Sequence, residues 1–150
     1  MKFLRHGPIG SEKPGCIDSD GNIRDLSAVI ADFTPETVTC DALAALADRD
    51  VSDLPIVDPA TRIGPCVGAA RNFYAVGLNY ARHARETNNP EPKEPVLFSK
   101  STSSICGPND PIILPRGSEK TDWEVELGII IGHPCSYVSK DEALGYVAGF

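Results

Sequence analysis

Asp122-Trp123-Glu124-Val125-Glu126-Leu127-Gly128-Ile129-Ile130-Ile131-Gly132 sets two glutamates one residue apart at the head of an apolar run. Three consecutive β-branched residues and the alternation before them predict a strand over residues 123–131. On a strand, side chains two apart share a face. Glu124 and Glu126 then project together, while Trp123, Val125 and Leu127 line the other side. Side-by-side carboxylates repel unless a positive group sits between them, and a hard divalent cation with oxygen ligands answers that need. Two glutamates do not fill such a shell. A further carboxylate or several waters must complete it.

Working outward, the chain is a sequence of short candidate elements. Residues 3–5 and 16–18 read as strands, and Asp20-Gly21 as a tight turn into Ile23-Arg24-Asp25-Leu26. Asp18-Ser19-Asp20-Gly21-Asn22 imitates the opening of a calcium loop, but Ile23 stands where the sharp turn needs Gly and Val29 where the bidentate Glu belongs. Thr34-Pro35 is a helix-start signal, and Asp41-Ala42-Leu43-Ala44-Ala45-Leu46-Ala47 has strong helical composition. Pro55, Pro59 and Pro65 punctuate a linker-like stretch, which places a domain boundary near residues 60–70. Beyond it, residues 73–76 read as a strand, 80–87 as a short helix, and Asn88-Asn89-Pro90-Glu91-Pro92-Lys93-Glu94-Pro95 as an irregular loop. Residues 96–98 and 112–114 are further strands, and Ser139-Lys140-Asp141-Glu142 is a capping box opening a helix through Tyr146. The pattern is mainly β with short helices, an α+β class.

Composition excludes several functions. The chain has 150 residues, 41% of them hydrophobic and 23% charged, the balance of a soluble globular protein. A net charge of −7, with no Lys or Arg run, argues against nucleic acid. No window suggests a signal peptide or a membrane span. Cys16, Cys40, Cys66, Cys106 and Cys135 are scattered and form no Cys-x-x-Cys pair, which fits a reduced, cytoplasmic setting better than a disulfide framework or a zinc site. No G-x-G-x-x-G, G-x-x-x-x-G-K-[ST] or G-x-S-x-G occurs, and His6 and His133, lacking spaced partners, read as structural.

Two other groups can carry chemistry. In Gly77-Leu78-Asn79-Tyr80-Ala81-Arg82-His83-Ala84-Arg85-Glu86, helical spacing puts His83 and Glu86 on one face, where a carboxylate can orient an imidazole for proton transfer. The same spacing also suits an ordinary exposed ion pair. Phe98-Ser99-Lys100-Ser101-Thr102 offers a charged donor among hydroxyls at a strand end, suited to a carboxylate or carbonyl oxygen, or simply to a polar loop.

In this order the segments resemble the fumarylacetoacetate hydrolase family. The carriers are Gly77-Leu78-Asn79-Tyr80 with His83 and Glu86, Phe98-Ser99-Lys100, Gly107-Pro108, Asp122-Trp123-Glu124-Val125-Glu126-Leu127 with Ile131-Gly132, and Tyr146-Val147-Ala148-Gly149. Residues 15–18 and 23–27 are similar to the small accessory domain preceding the catalytic domain in many bacterial members. The resemblance implies a small α+β accessory domain over residues 1–66 and the first part of a mixed β-sandwich roll over residues 67–150. It implies Mg²⁺, or alternatively Mn²⁺ or Ca²⁺, on Glu124 and Glu126, and His83 as general base oriented by Glu86. Lys100, Asn79 and Tyr80 fall at substrate-binding positions, and Leu78 stands where some members carry Arg. The family's third ligand, an Asp in an Asn-Asp-x-Ser-x-Arg segment, is expected beyond residue 150, so the chain reads as the N-terminal half of the pattern. The implied activity is cleavage of a carbon–carbon bond in a 2,4-diketo acid, an acylpyruvate or a 2,4-diketo-3-deoxy-rhamnonate or fuconate, by a homodimer or higher homo-oligomer. Isomerase or tautomerase, oxaloacetate-type decarboxylase and ureidoglycolate lyase activities share that platform. The alternative of another class is a non-catalytic metal-binding module.

Overall fold

A computed structural model describes residues 1–150. The chain divides into two compact units: Met1–Ala69 with Cys106–Phe150, and Ala70–Ile105. The first unit thus joins residues of the expected accessory domain to a segment 106–150 from the expected catalytic part.

The first unit begins with a three-stranded antiparallel sheet, β1 (Lys2–His6), β2 (Lys13–Ile17) and β3 (Ile23–Asp25), in the order β1-β2-β3. Its register sets Phe3 opposite Cys16 and Cys16 opposite Arg24. The β2–β3 turn is held by Asp18, whose Oδ1 accepts from the Asp20 and Asn22 amides at 3.0 and 2.8 Å. That is a short side chain standing in for backbone in a hairpin turn, the turn the sequence reads at Asp20-Gly21. The Pro-punctuated stretch is not a free linker. The Val57 amide donates to Ile23 O at 2.8 Å and the Gly64 amide to Arg5 O at 2.8 Å, so the stretch lies along both sheet edges. Proline lacks a donor, but its neighbours supply enough to cover edges that would otherwise stay open.

Helix α1 (Cys40–Ala47) is capped by Thr39, whose side chain accepts from the Ala42 amide at 3.2 Å. Leu43 and Leu46 pack from it onto a core of Cys16, Leu26, Phe33, Val38 and Val51. Thr34-Pro35 opens only a single turn, because Thr37 Oγ1 donates to Asp32 O at 2.7 Å and accepts from the Thr34 amide at 2.8 Å, closing the backbone locally. At the far end of the chain, β6 (Ile130–Ile131) pairs antiparallel with β7 (Val147–Gly149). Ile130 and Ala148 pack against the same core. Gly132 lies so close to α1 that a Cβ there would come within 2.8 Å of Cys40 Sγ and 3.0 Å of its amide nitrogen.

The expected strands over 112–114 and 123–131 are not formed as read. Only Ile130–Ile131 enters a ladder, and residues 111–129 form no strand. A ladder needs a partner whose amides and carbonyls meet its own, and alternation alone does not supply one. The expected helix from Ser139 is likewise reduced to a 3-10 turn over Ala143–Tyr146. Ser139 Oγ does reach Glu142 Oε2 at 2.6 Å, but the side chains bond each other rather than the first-turn amides a helix would leave unmet.

The second unit is a two-stranded antiparallel hairpin, β4 (Tyr74–Gly77) with β5 (Val96–Ser99), enclosing helix α2 (Ala81–Glu86). Across the chain, small sheets dominate and helices are few and short, as the α+β reading expects. No helix is long and apolar enough to cross a membrane.

Candidate functional site

In the second unit β4 ends at Gly77 and the chain turns through Leu78, a left-handed residue at φ 53°, into Asn79, Tyr80 and α2. The positive φ costs a γ-branched residue strain of about 1 kcal/mol or more, and such residues cluster where a chain is bent for function. The bend sets α2 against the loop the sequence reads as irregular. Residues 76–79 and Ala81 on one side and residues 91–95 on the other line a cleft of about 250 Å³. Sequence reasoning missed this cleft, although the proline spacing of the loop was its visible signal.

α2 carries the expected base and its orienter. Ala84 is fully buried and fixes the helix, leaving His83 half-buried and Glu86 exposed. Glu86 Oε1 accepts from Arg82 Nε at 2.9 Å, the i,i+4 pairing that an exposed helix face favours. Lys100 follows β5, its amide donating to Phe73 O at 2.8 Å and its Nζ lying 5.8 Å from the Phe98 ring centroid. The unit therefore places His83, Glu86, Asn79, Tyr80 and Lys100 on one small hairpin-and-helix scaffold.

Glu124 and Glu126 belong to the other unit, both exposed on the unladdered segment before β6. Their chemistry suits a hard cation, since both are carboxylates and alternate along an extended chain. They do not complete a shell, for no three His, Cys, Asp or Glu side chains among residues 1–150 gather in a metal-binding group.

The most strongly perturbed groups lie elsewhere in that unit, where the sequence offered no motif. Arg62 donates to both carboxylate oxygens of Asp110 at 2.7 and 2.6 Å, to Glu12 at 2.9 Å and to Gly7 O at 3.0 Å. These hydrogen bonds push the guanidinium pKa above its ordinary value. Arg5 grips Asp32 through two bonds of 2.7 and 2.8 Å and lies 3.7 Å from Glu12. Burial pushes the Glu12 carboxyl up, but the Arg62 hydrogen bond and the charges of Arg5 and Arg62 outweigh it and hold it low. Arg62 likewise holds Asp110 low, helped by the Gly107 amide, which donates to Asp110 Oδ2 at 2.6 Å. The web ties the Gly107 turn to the N-terminal sheet and gives that unit its electrostatic core.

Comparison with known proteins places the chain among relatives. The family model described as fumarylacetoacetate (FAA) hydrolase C-terminal matches residues 72–150, more than half of the chain. A Burkholderia multivorans protein named "Putative hydrolase" is 56% identical over 150 residues, which is 100% of this chain and 53% of that protein. A solved structure, fumarylacetoacetate hydrolase from psychrophilic Exiguobacterium antarcticum, superposes with a TM-score of 0.72 at 29% identity, covering 98% of this chain and 52% of the other. The chain thus spans about half the length of the relatives it matches.

Proposed function

The chain belongs to the fumarylacetoacetate hydrolase family, and on that premise we propose that the protein is a divalent-metal-dependent hydrolase of a 2,4-diketo acid. The substrate class is an acylpyruvate or a 2,4-diketo-3-deoxy sugar acid of the rhamnonate or fuconate type, cleaved to pyruvate and a second acid. The observation that carries this reading is that the matched region holds His83, Glu86, Lys100, Glu124 and Glu126 together. His83 and Glu86 stand on one short helix, and the two metal-directed glutamates are open to solvent.

The residues then divide the work. Glu124 and Glu126 would hold Mg²⁺, or Mn²⁺ or Ca²⁺ in its place, with a third ligand, an Asp, expected beyond residue 150. That ion supplies Lewis-acid polarisation of the 2-oxo acid end and a template for the substrate. His83, oriented by Glu86, takes a proton from water as the oxygen adds to the distal carbonyl carbon. The bond between that carbon and its neighbour breaks, its electron pair passing to the pyruvate half as an enolate while the other half leaves as a carboxylic acid. The Lys100 ammonium lies against the enolate oxygen and stabilises its charge. Proton return to the enolate carbon gives pyruvate. Asn79 and Tyr80 line the substrate side of the bend. We assign residues 1–66 to an accessory domain and residues 67–150 to the first part of a β-sandwich roll, in a cytoplasmic homodimer. The five unpaired cysteines accord with a reduced compartment.

The test is loss of diketo absorbance with and without Mg²⁺, with pyruvate measured in parallel. Metal-dependent pyruvate release supports hydrolysis. Enol–keto conversion without pyruvate makes the protein an isomerase, CO₂ release a decarboxylase, and glyoxylate from ureidoglycolate a lyase. Mg²⁺ binding with no turnover of any of these reduces it to a binding module. His83→Asn is expected to abolish hydrolysis while leaving Mg²⁺ binding, whereas Glu124→Gln or Glu126→Gln removes both.

A further inference from the structure

The N-terminal unit carries a concavity larger than the cleft beside α2 and apart from every residue given a chemical role above. A groove of about 430 Å³ runs between the β2–β3 turn (residues 17–20 with Arg24) and the chain after α1 (Ala47 and residues 49–52). Small-molecule pockets span about 300–1,000 Å³, so the groove is large enough to hold one. Arg24 braces both walls. Its Nε donates to Asp18 Oδ2 at 2.6 Å, and its Nη1 donates to Ser52 O and Leu54 O, both at 2.9 Å. Only 13% of its side chain is exposed. These bonds leave Nη2, which takes no protein acceptor and reaches solvent. A guanidinium already immobilised loses little further freedom on gaining one more acceptor, so this edge is prepared for a ligand oxygen.

The charges around the groove choose what enters it. Asp18 is already spent: besides Arg24 it accepts from the Asp20 and Asn22 amides, and the Arg24 hydrogen bond holds its carboxyl below the ordinary range. Arg24 and Asp18 therefore cancel as a pair. Arg49, Asp20 and Asp50 remain, all three exposed along the groove. The Ser52 amide donates to Asp50 Oδ1 at 2.9 Å and holds that carboxyl low. An ionised carboxylate has about four lone-pair sites, so Asp50 can accept more. A plain anion would meet Asp20 and Asp50, and a plain cation would leave Arg49 and Arg24 Nη2 unanswered. A ligand carrying both signs answers all four. Met1, Ile17, Ala47 and Val51 add apolar lining. We infer that the groove binds a free α-amino acid with an apolar side chain. Its carboxylate sits on Arg24 Nη2 and Arg49, its ammonium against Asp20 and Asp50, and its side chain against Ile17 and Val51. The site is separate from the reaction proposed above, since a 2,4-diketo acid has no ammonium group.

The isotope-labelled chain is titrated with L-leucine, without metal or substrate, and its amide NMR spectrum is followed. The expected result is a saturable shift centred on residues 17–24 and 47–52. Isocaproate keeps the carboxylate and the tail, and isoamylamine keeps the ammonium and the tail. Each binds about tenfold or more weakly, because it drops one set of charge-assisted bonds. Pyruvate leaves these amides unshifted. Arg49→Gln and Asp20→Asn, at exposed positions that leave the Arg24 brace intact, each weaken L-leucine binding by a similar factor. Lys93→Gln, in the other unit, changes nothing. Absence of a saturable shift with L-leucine overturns the inference. So does equal affinity for either single-charge analogue, or binding unaltered in both variants. Turnover of diketo acids is untouched by any of these outcomes.

Discussion

Arg5→Met is the most informative perturbation of the N-terminal unit. Arg5 is 7% exposed, and its guanidinium is fixed by the two short bonds to Asp32. Gly68 makes room for this pair, since a Cβ there would come within 2.9 Å of Arg5 Cζ and 3.1 Å of Asp32 Oδ2. Methionine keeps much of the stem and removes the charge, leaving Asp32 without its cation. Losing one member of a buried pair costs about 3–5 kcal/mol. Asp32 retains 28% side-chain exposure and still accepts the Phe33 amide at 2.8 Å, so the lower end, about 3 kcal/mol, is expected. For a domain whose whole stability is about 5–15 kcal/mol, that is a large fraction. Urea unfolding followed by far-ultraviolet circular dichroism reads it directly. With a slope of about 1–3 kcal/mol per molar, the midpoint falls by about 1–3 M. Adding Asp32→Asn recovers part of the loss, because the orphaned charge goes with it, and the cycle gives a coupling of about 1–3 kcal/mol. A single-variant loss below about 1 kcal/mol, the range of solvent-screened surface pairs, refutes the argument that this web is buried structure.

Two further outcomes follow from the same unit. Glu12, Asp25 and Asp110 all have carboxyl pKa values below their ordinary range; at Asp25 burial pushes upward but the Ser27 hydrogen bonds and the charges of His6 and Lys13 prevail. A lowered folded-state value means the unfolded chain takes up protons first, so the stabilisation is complete above about pH 4–5 and is lost as pH falls through the folded values. Acid unfolding by circular dichroism should show that fall below about pH 4, and Arg62→Ala should move its midpoint upward; stability rising between about pH 5 and 3 contradicts the assignment. Gly107→Ala drives a Cβ into the Ile63 carbonyl oxygen and within 2.9 Å of Asp110 Oδ2. It should cost about 1–3 kcal/mol by urea unfolding, and a neutral result means the turn does not sit against residue 63.

What the sequence determined by itself is whatever closes over a few residues. The Asp18–Asn22 hairpin turn and helix α1 draw their hydrogen bonds from near neighbours, so composition and spacing suffice to read them. The candidate residues were named for a different reason: His83, Glu86, Lys100, Glu124 and Glu126 form an ordered pattern along the chain, whatever surrounds them. Tertiary structure decided the rest. Arg62 and Asp110 are 48 positions apart and Arg5 and Asp32 are 27 apart, so no local pattern announces their pairing. The Pro-punctuated stretch became the covering of two sheet edges because β1 and β3 presented unmatched backbone there. The segment around Glu124 and Glu126 has the alternation of a strand yet lies outside any ladder, because a helix finds its hydrogen-bond partners within itself and a strand must be given one.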